Sequence, residues 1–207
     1  ELARESGVKA DIVVPVPDSG VPAAIGYSQA SNIKFELGLI RNHYVGRTFI
    51  EPTQHIRSLG VKLKLSSTKS ILKNKSVILI DDSLVRGTTC NKIVKMLYKA
   101  GAKEVHVKIA CPEIKYPDFY GVDMPTKKEL LSSSKNTNEI CKFLGAASCN
   151  FLSIDGLYKA LIKEKRNNNY PQFSDHYFTG DYPIKALDEL GSEKITQLSL
   201  LSNKSSS

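Results

Sequence analysis

The run from Ser76 to Thr89, SVILIDDSLVRGTT, restricts this chain more than any other feature. Val77-Ile78-Leu79-Ile80 is a short aliphatic run without alternation, the pattern of a strand buried on both faces, and it ends in Asp81-Asp82. Ser83 to Thr88 is short, polar and contains Gly87. A helix is predicted next, because Ile93, Met96, Leu97 and Ala100 recur at i, i+3, i+4 and i+7, and Gly101 supplies a stop. Strand, acidic end, glycine loop and helix form the layout of an open α/β sheet, whose ligands bind beyond the carboxyl ends of the strands.

The residue types at that end specify a chemistry. Consecutive backbone N–H groups at a helix N-terminus suit a phosphate, and Gly87 lets the backbone come close. Thr88 and Thr89 add hydroxyl donors or an N-cap. Adjacent carboxylates accept hydrogen bonds from hydroxyls or hold Mg2+ through water. A ligand with a sugar diol and a phosphate satisfies both halves. The string contains neither the G-x-x-x-x-G-K-[ST] of a nucleotide P-loop nor a dinucleotide glycine fingerprint.

The rest of the chain continues the strand–helix alternation. Asp11 to Val16 reads as a buried strand, Pro17-Asp18-Ser19-Gly20 as a turn, and Val21 to Ala30 as a helix. A single strand is predicted over Ile33 to Ile40, then one long polar loop from Arg41 to Ser70. Loops of that length inside a compact domain are usually functional lids. A strand over Glu104 to Ala110, helical stretches over Thr126 to Leu131 and Asn138 to Leu144, a strand over Ser148 to Leu152 and a helix to about Lys165 complete the pattern. The order argues for a parallel sheet wrapped by helices. Ser192 to Ser207 is serine-rich and aromatic-poor and is expected to be disordered.

Composition narrows the partners. With 207 residues and 41% hydrophobic content, the chain can bury a core as one large domain or one domain with appendages. No aliphatic run approaches the length of a membrane span. Glu1-Leu2-Ala3-Arg4-Glu5-Ser6 lacks an initiator Met and a leader pattern, so these residues are expected to continue a longer chain. Cys90, Cys111, Cys141 and Cys149 form no C-x-x-C pair and are read as reduced thiols of a cytoplasmic protein, with Cys90 a small buried residue. His55, His106 and His176 stand isolated and are read as structural or exposed. The aromatics Tyr170, Phe173, Tyr177 and Phe178 are read as packing residues. The net charge of +8 requires an anionic partner, and nucleic acid, an acidic membrane or a phosphorylated small molecule would each serve. Five cations, Arg41, Arg47, Arg57, Lys62 and Lys64, against Glu51 alone put +4 of that charge on residues 41 to 64.

The Asp81-Asp82 string resembles the phosphoribosyl-pyrophosphate (PRPP) motif of type I phosphoribosyltransferases. Val13-Val14-Pro15-Val16-Pro17-Asp18-Ser19, the ten residues from Arg41 to Ile50, Pro112-Glu113-Ile114 and the segment Tyr120 to Pro125 narrow the resemblance. Together they are similar to the amidophosphoribosyltransferase family, the glutamine-dependent enzymes that open purine synthesis, from about Lys9 to Leu190. The resemblance implies a central parallel sheet flanked by helices, with a small hood and a flexible basic loop. It implies a phosphoribosyltransferase domain over residues 1–191, a flexible loop over 41–64 and a disordered tail over 192–207.

By the same resemblance, Asp81 and Asp82 hold the ribose hydroxyls and Mg2+, while Ser83, Val85, Arg86, Gly87, Thr88 and Thr89 cradle the 5-phosphate. Asp18 and Ser19 belong to the pyrophosphate loop, and Tyr44, Arg47 and Lys64 to the loop that closes over PRPP. The implied reaction is displacement of pyrophosphate from C1 by ammonia, with inversion, giving 5-phosphoribosylamine without a covalent protein nucleophile. A cationic lid would stabilise the leaving group, and its closure would exclude water. The family's N-terminal glutaminase domain begins with a catalytic cysteine. Residue 1 here is Glu, so this chain is expected to use free ammonia only. Where one branch of the family carries iron–sulfur cysteines, this chain has Asp118 and Ser174, Asp175, His176 and Tyr177, so no iron–sulfur cluster is expected. Gly20 replaces a serine described in some members as an Mg2+ contact, and His43 a frequent Arg. The family further implies homo-oligomers inhibited by purine nucleotides, with no nucleic-acid or membrane partner.

Two other readings stand beside this one. A phosphoribosyltransferase-fold regulator could keep the PRPP site and bind nucleic acid through its basic surface. A related transferase could take a purine or orotate in place of ammonia.

Overall fold

The computed structural model describes residues 1–42, 65–121 and 126–184. Helix α1 (Leu2–Glu5) leads to strand β1 (Ile12–Pro15), helix α2 (Val21–Ser31) and strand β2 (Lys34–Phe35). Strand β3 (Leu39–Arg41) and, beyond residue 64, strand β4 (Leu65–Ser67) and helix α3 (Lys69–Leu72) follow. Strand β5 (Ser76–Asp81), helix α4 (Thr88–Lys99) and strand β6 (Glu104–Ile109) form the centre. A 3-10 turn (Lys127–Glu129), helices α5 (Leu131–Ser134) and α6 (Thr137–Leu144), strand β7 (Ser148–Phe151), and helices α7 (Ile154–Ile162) and α8 (His176–Thr179) complete the described elements.

The main sheet has the order β2-β1-β5-β6-β7, with every pairing parallel. β5 is its middle strand, and Val77, Ile78, Leu79 and Ile80 are all fully buried. Such a strand needs apolar side chains on both sides, which explains its unbroken aliphatic run. Val77 and Leu79 face one apolar cluster with Ile93, Val94 and Leu97 of α4, whereas Ile78 and Ile80 face a second with Ala24 and Tyr27 of α2. Each such side chain contributes about 1.5–3 kcal/mol of burial free energy. The fold class expected from the strand–helix alternation is therefore the one observed.

Four local expectations change. Ile33 to Ile40 is not one strand. Lys34 and Phe35 pair with Ile12 and Val13 in the main sheet, and the chain then leaves it at Gly38, where an added Cβ would lie 2.9 Å from Leu72 Cδ2 and 3.0 Å from Val14 Cγ2. Leu39–Arg41 instead pairs antiparallel with Leu65–Ser67 in a two-stranded ribbon, so the loop predicted over residues 41–70 has structured ends. The helical stretch expected over Thr126 to Leu131 is a 3-10 turn at Lys127–Glu129, fixed by a capping box between Thr126 and Glu129, and α5 starts only at Leu131. The last helix expected to reach Lys165 ends at Ile162, where Lys163 takes a left-handed conformation with φ 61°.

Residues 112–121 and 166–184 form a small irregular lobe, the described counterpart of the expected hood. Lys115 and Tyr116 donate their amides to Tyr177 O, and the Tyr182 hydroxyl donates to Pro117 O at 2.8 Å. Pro112, Phe151, Leu152 and Phe178 line a cavity of about 330 Å3, which places the lobe at the carboxyl ends of β6 and β7. Among the described residues, no helix is long and apolar enough to cross a membrane.

Candidate functional site

The carboxyl ends of β1 and β5 lie side by side, and their loops meet there. Val16 donates its amide to Ile80 O at 2.8 Å, so the turn Pro17–Gly20 starts directly beside the end of β5. The peptide between Pro17 and Asp18 is cis. An added Cβ at Gly20 would stand 2.5 Å from Ile80 O and 2.9 Å from Val16 O, and this close backbone approach requires glycine. Ser19 Oγ donates to Asp82 Oδ1 at 3.1 Å, and Arg41 Nη1 donates to Asp18 Oδ2 at 2.7 Å.

Asp81 and Asp82 differ in environment. Asp82 is exposed, while Asp81 closes β5 and is partly covered. Burial, reinforced by a hydrogen bond and like charge from Asp82, pushes the Asp81 carboxyl up to about 8, although the Asp82 amide donates to Asp81 Oδ1 at 3.0 Å and opposes the rise. An oxygen-only pair of this kind, costly to ionise alone, fits a hard divalent cation. Among the described residues no group of three or more His, Cys, Asp or Glu surrounds a metal position. Mg2+ fits such a partial donor set, since it commonly keeps waters and substrate oxygens.

The loop after Asp82 is shaped by its glycine. Gly87 has φ 71° and stands at the N-cap of α4. An added Cβ there would meet Leu131 Cδ2 at 2.6 Å and Phe143 Cε1 at 3.1 Å. Of the two roles read for Thr88 and Thr89, hydroxyl donors or an N-cap, the cap is not taken: both lie in the first turn, exposed, with no side-chain cap bond. The first-turn amides of a helix lack intrahelical acceptors, so they remain available for an anion. Val85 O accepts from the Leu131 amide at 2.9 Å, which holds the loop against α5. The Arg86 guanidinium is turned to Glu129, with Nε to Oε1 at 3.1 Å, and this bond holds the Glu129 carboxyl below its usual range. Of the residues expected at the phosphate, Arg86 therefore brings its backbone but has its side chain engaged elsewhere. Ser83 lies in the same loop, partly covered.

Tyr44, Arg47 and Lys64, and with them His43, His55 and the expected loop beyond Asn42, lie outside the described residues, as does the tail. Leu131 and Phe143, which crowd Gly87, and Glu129, which holds Arg86, carried no signal in the sequence because they lie more than 40 positions from those residues. Cys90 is buried beside the loop, as expected, and burial raises its thiol well above the usual range. Burial likewise pushes Cys111 and Cys149 up to about 12.

His106 and His176, read as structural or exposed, are buried structural residues. His106 Nδ1 lies 2.9 Å from Ser148 Oγ, and His176 Nε2 lies 2.7 Å from Asp118 Oδ1 with both side chains buried. Asp118 was read only through the cysteine it replaces. Asp118 and His176 tie the two segments of the lobe together, with Tyr120 packed edge-on against the imidazole at 5.1 Å. Asp175 is buried against Arg166 and Tyr158. Tyr170, expected to pack, is 82% exposed.

The phosphoribosyl transferase domain family matches residues 1–123, which include both loops and the acidic pair. The chain belongs to that family. Over 203 residues this phosphoribosyltransferase-family chain is 56% identical to the amidophosphoribosyltransferase of Rhizobium etli, covering 98% of the chain and 41% of that relative. It is 50% identical over 184 residues to the Bacillus subtilis amidophosphoribosyltransferase, covering 89% of the chain and 38% of the relative. Among solved structures, the B. subtilis glutamine PRPP amidotransferase complexed with ADP and GMP superposes with a TM-score of 0.78 at 50% identity, covering 88% of this chain and 40% of that one. The chain spans about two fifths of the length of these relatives.

Proposed function

We propose that this chain binds PRPP with Mg2+ and transfers its phosphoribosyl group to ammonia, as the phosphoribosyltransferase part of an amidophosphoribosyltransferase, with residues 1–191 as the domain. The observation that carries the reading is the junction of two loops on one acidic strand end, with Ser19 bonded to Asp82 across them. The match of this segment to the phosphoribosyl transferase domain supports it.

Each end of the substrate has a counterpart. The amides at the start of α4, with the Thr88 and Thr89 hydroxyls, would receive the 5-phosphate, where the helix end contributes partial positive charge. Asp81 and Asp82 would accept the ribose hydroxyls and, through oxygen, hold Mg2+, which when bound offsets diphosphate charge. The turn Pro17–Gly20 would take the diphosphate, and the cations of residues 43–64 would cover it. Ammonia then attacks C1 on the face opposite the diphosphate. The C–N bond forms, the C–O bond breaks with its electron pair leaving on pyrophosphate, and the product nitrogen loses a proton. The protein's part is to fix the reacting atoms and stabilise charge.

Binding of purine nucleotides at the same carboxyl edge is part of the proposal, supported by the ADP and GMP in the B. subtilis relative. Four free thiols suit a reducing, cytoplasmic compartment. A nucleic-acid-binding regulator is not favoured, because the relatives are enzymes and half of the net charge lies on residues 41–64. Incubation with PRPP, Mg2+ and ammonium at alkaline pH should release pyrophosphate and form phosphoribosylamine. Pyrophosphate release that does not depend on ammonium would contradict the assigned acceptor.

A further inference from the structure

The diphosphate side of the site is braced from the ribbon. Leu39, 1% exposed, anchors β3 in the core, and the register Arg41↔Leu65 fixes the backbone of Arg41 two residues on. From there Arg41 Nη1 reaches Asp18 Oδ2 at 2.7 Å, and the next residue, Ser19, reaches Asp82 Oδ1 at 3.1 Å. The two contacts run in series from the ribbon, through the turn Pro17–Gly20, to the acidic pair.

Asp18 presents an electrostatic difficulty. Its carboxylate stands in the turn assigned to a diphosphate, where like charge repels. Among the described residues Arg41 is the cation paired with it. Both side chains are about half exposed, 45% for Arg41 and 57% for Asp18, and a pair so exposed contributes little to stability. Its consequence lies in the local field and in the conformation of the turn.

We propose that Arg41 is a positioning residue for the diphosphate of PRPP, which neutralises Asp18 and fixes the turn Pro17–Gly20 without itself holding the diphosphate. The proposal rests on the PRPP reading above. The contact runs through one guanidinium nitrogen, so a point charge serves and Lys at position 41 should substitute.

Four variants test this in the full chain: Arg41→Gln, Arg41→Lys, Asp18→Asn, and Arg41→Gln combined with Asp18→Asn. With Mg2+ and ammonium, Arg41→Gln should raise KM for PRPP about tenfold with little change in kcat, the scale of one uncompensated like charge nearby. Arg41→Lys should stay within about twofold of the parent, and the double variant should return to within about threefold. A double variant as weak as Arg41→Gln, or weaker, would overturn the proposal, because Arg41 would then grip the diphosphate directly.

A second readout needs no ligand. The Gly20 amide donates to Val16 O at 2.9 Å and the Val21 amide to Asp18 O at 3.2 Å. Arg41→Gln should speed hydrogen exchange at both several-fold in the unliganded protein, and unchanged rates would overturn the positioning role. If the parent chain neither binds nor consumes Mg2+-PRPP, the functional reading fails, and the exchange rates still decide whether Arg41 fixes the turn.

Discussion

Replacing Asp81 by Asn should stabilise the unliganded protein while destroying its ligand chemistry. In the fold the Asp81 carboxyl titrates at about 8, above its ordinary value of 3.8, because it is buried beside Asp82. The folded state therefore binds more protons than the unfolded chain between about pH 4 and pH 8, and stability from this group falls as pH rises through that window. At pH 7 the gap to 3.8 is about three units, which at about 1.4 kcal/mol per unit sets a ceiling of about 4 kcal/mol. Asn is isosteric, its carbonyl oxygen can still accept from the Asp82 amide, and it carries no charge. The gain should be at least about 1 kcal/mol at pH 7, a rise in Tm of about 2–4 °C for a chain of this size. Thermal melts of both proteins from pH 4 to pH 9 provide the assay. The two curves should converge near pH 4 and separate as pH rises. An Asn variant less stable than the parent at pH 8 would refute the reasoning.

On the proposed reading the same titration bears on binding, because Mg2+-PRPP would have to displace a proton from Asp81 below about pH 8. Its association constant, measured by calorimetry, should rise with pH from 6 to 8 and level off above it, whereas Asp81→Asn should show no measurable binding across that range. Gly87→Ala forces a side chain into φ 71° and against Leu131 Cδ2, so chemical denaturation should show a loss of about 1–2 kcal/mol. Arg166→Met leaves the Asp175 carboxylate buried; burial alone would raise that group, and Arg166 with Tyr158 outweighs it and holds it low. A loss of about 3 kcal/mol is expected at pH 7 in urea unfolding, shrinking below about pH 4 as Asp175 protonates.

The parts legible in the sequence were those in which local preferences agree. Val77 to Ile80, Asp81-Asp82, Gly87 and the apolar stripe of α4 each point to the same strand–loop–helix unit, and the structure contains it. The stripe itself lies slightly off the expected one, with Cys90 and Val94 buried alongside Ile93 and Leu97. The ribbon was not legible, because Leu65–Ser67 is three residues long, carries two serines, and pairs with residues 24 to 28 positions away. Ser19 and Asp82 are 63 positions apart, and Arg41 and Asp18 are 23 apart, so no local spacing encodes either contact. Of the two roles open to Thr88 and Thr89, hydroxyl donor or N-cap, the structure leaves only the first. Here the left-handed backbone at Gly87, crowded by Leu131 and Phe143, leaves room for no side chain.

The most direct test is a crystal structure of the chain with Mg2+ and a non-reactive analogue of PRPP. The account predicts the 5-phosphate on the amides between Ser83 and Thr89, the ribose hydroxyls within hydrogen-bond distance of Asp81 and Asp82, and the diphosphate against Pro17–Gly20. An analogue bound away from Asp81 and Asp82, with the Ser19–Asp82 junction undisturbed, would contradict it.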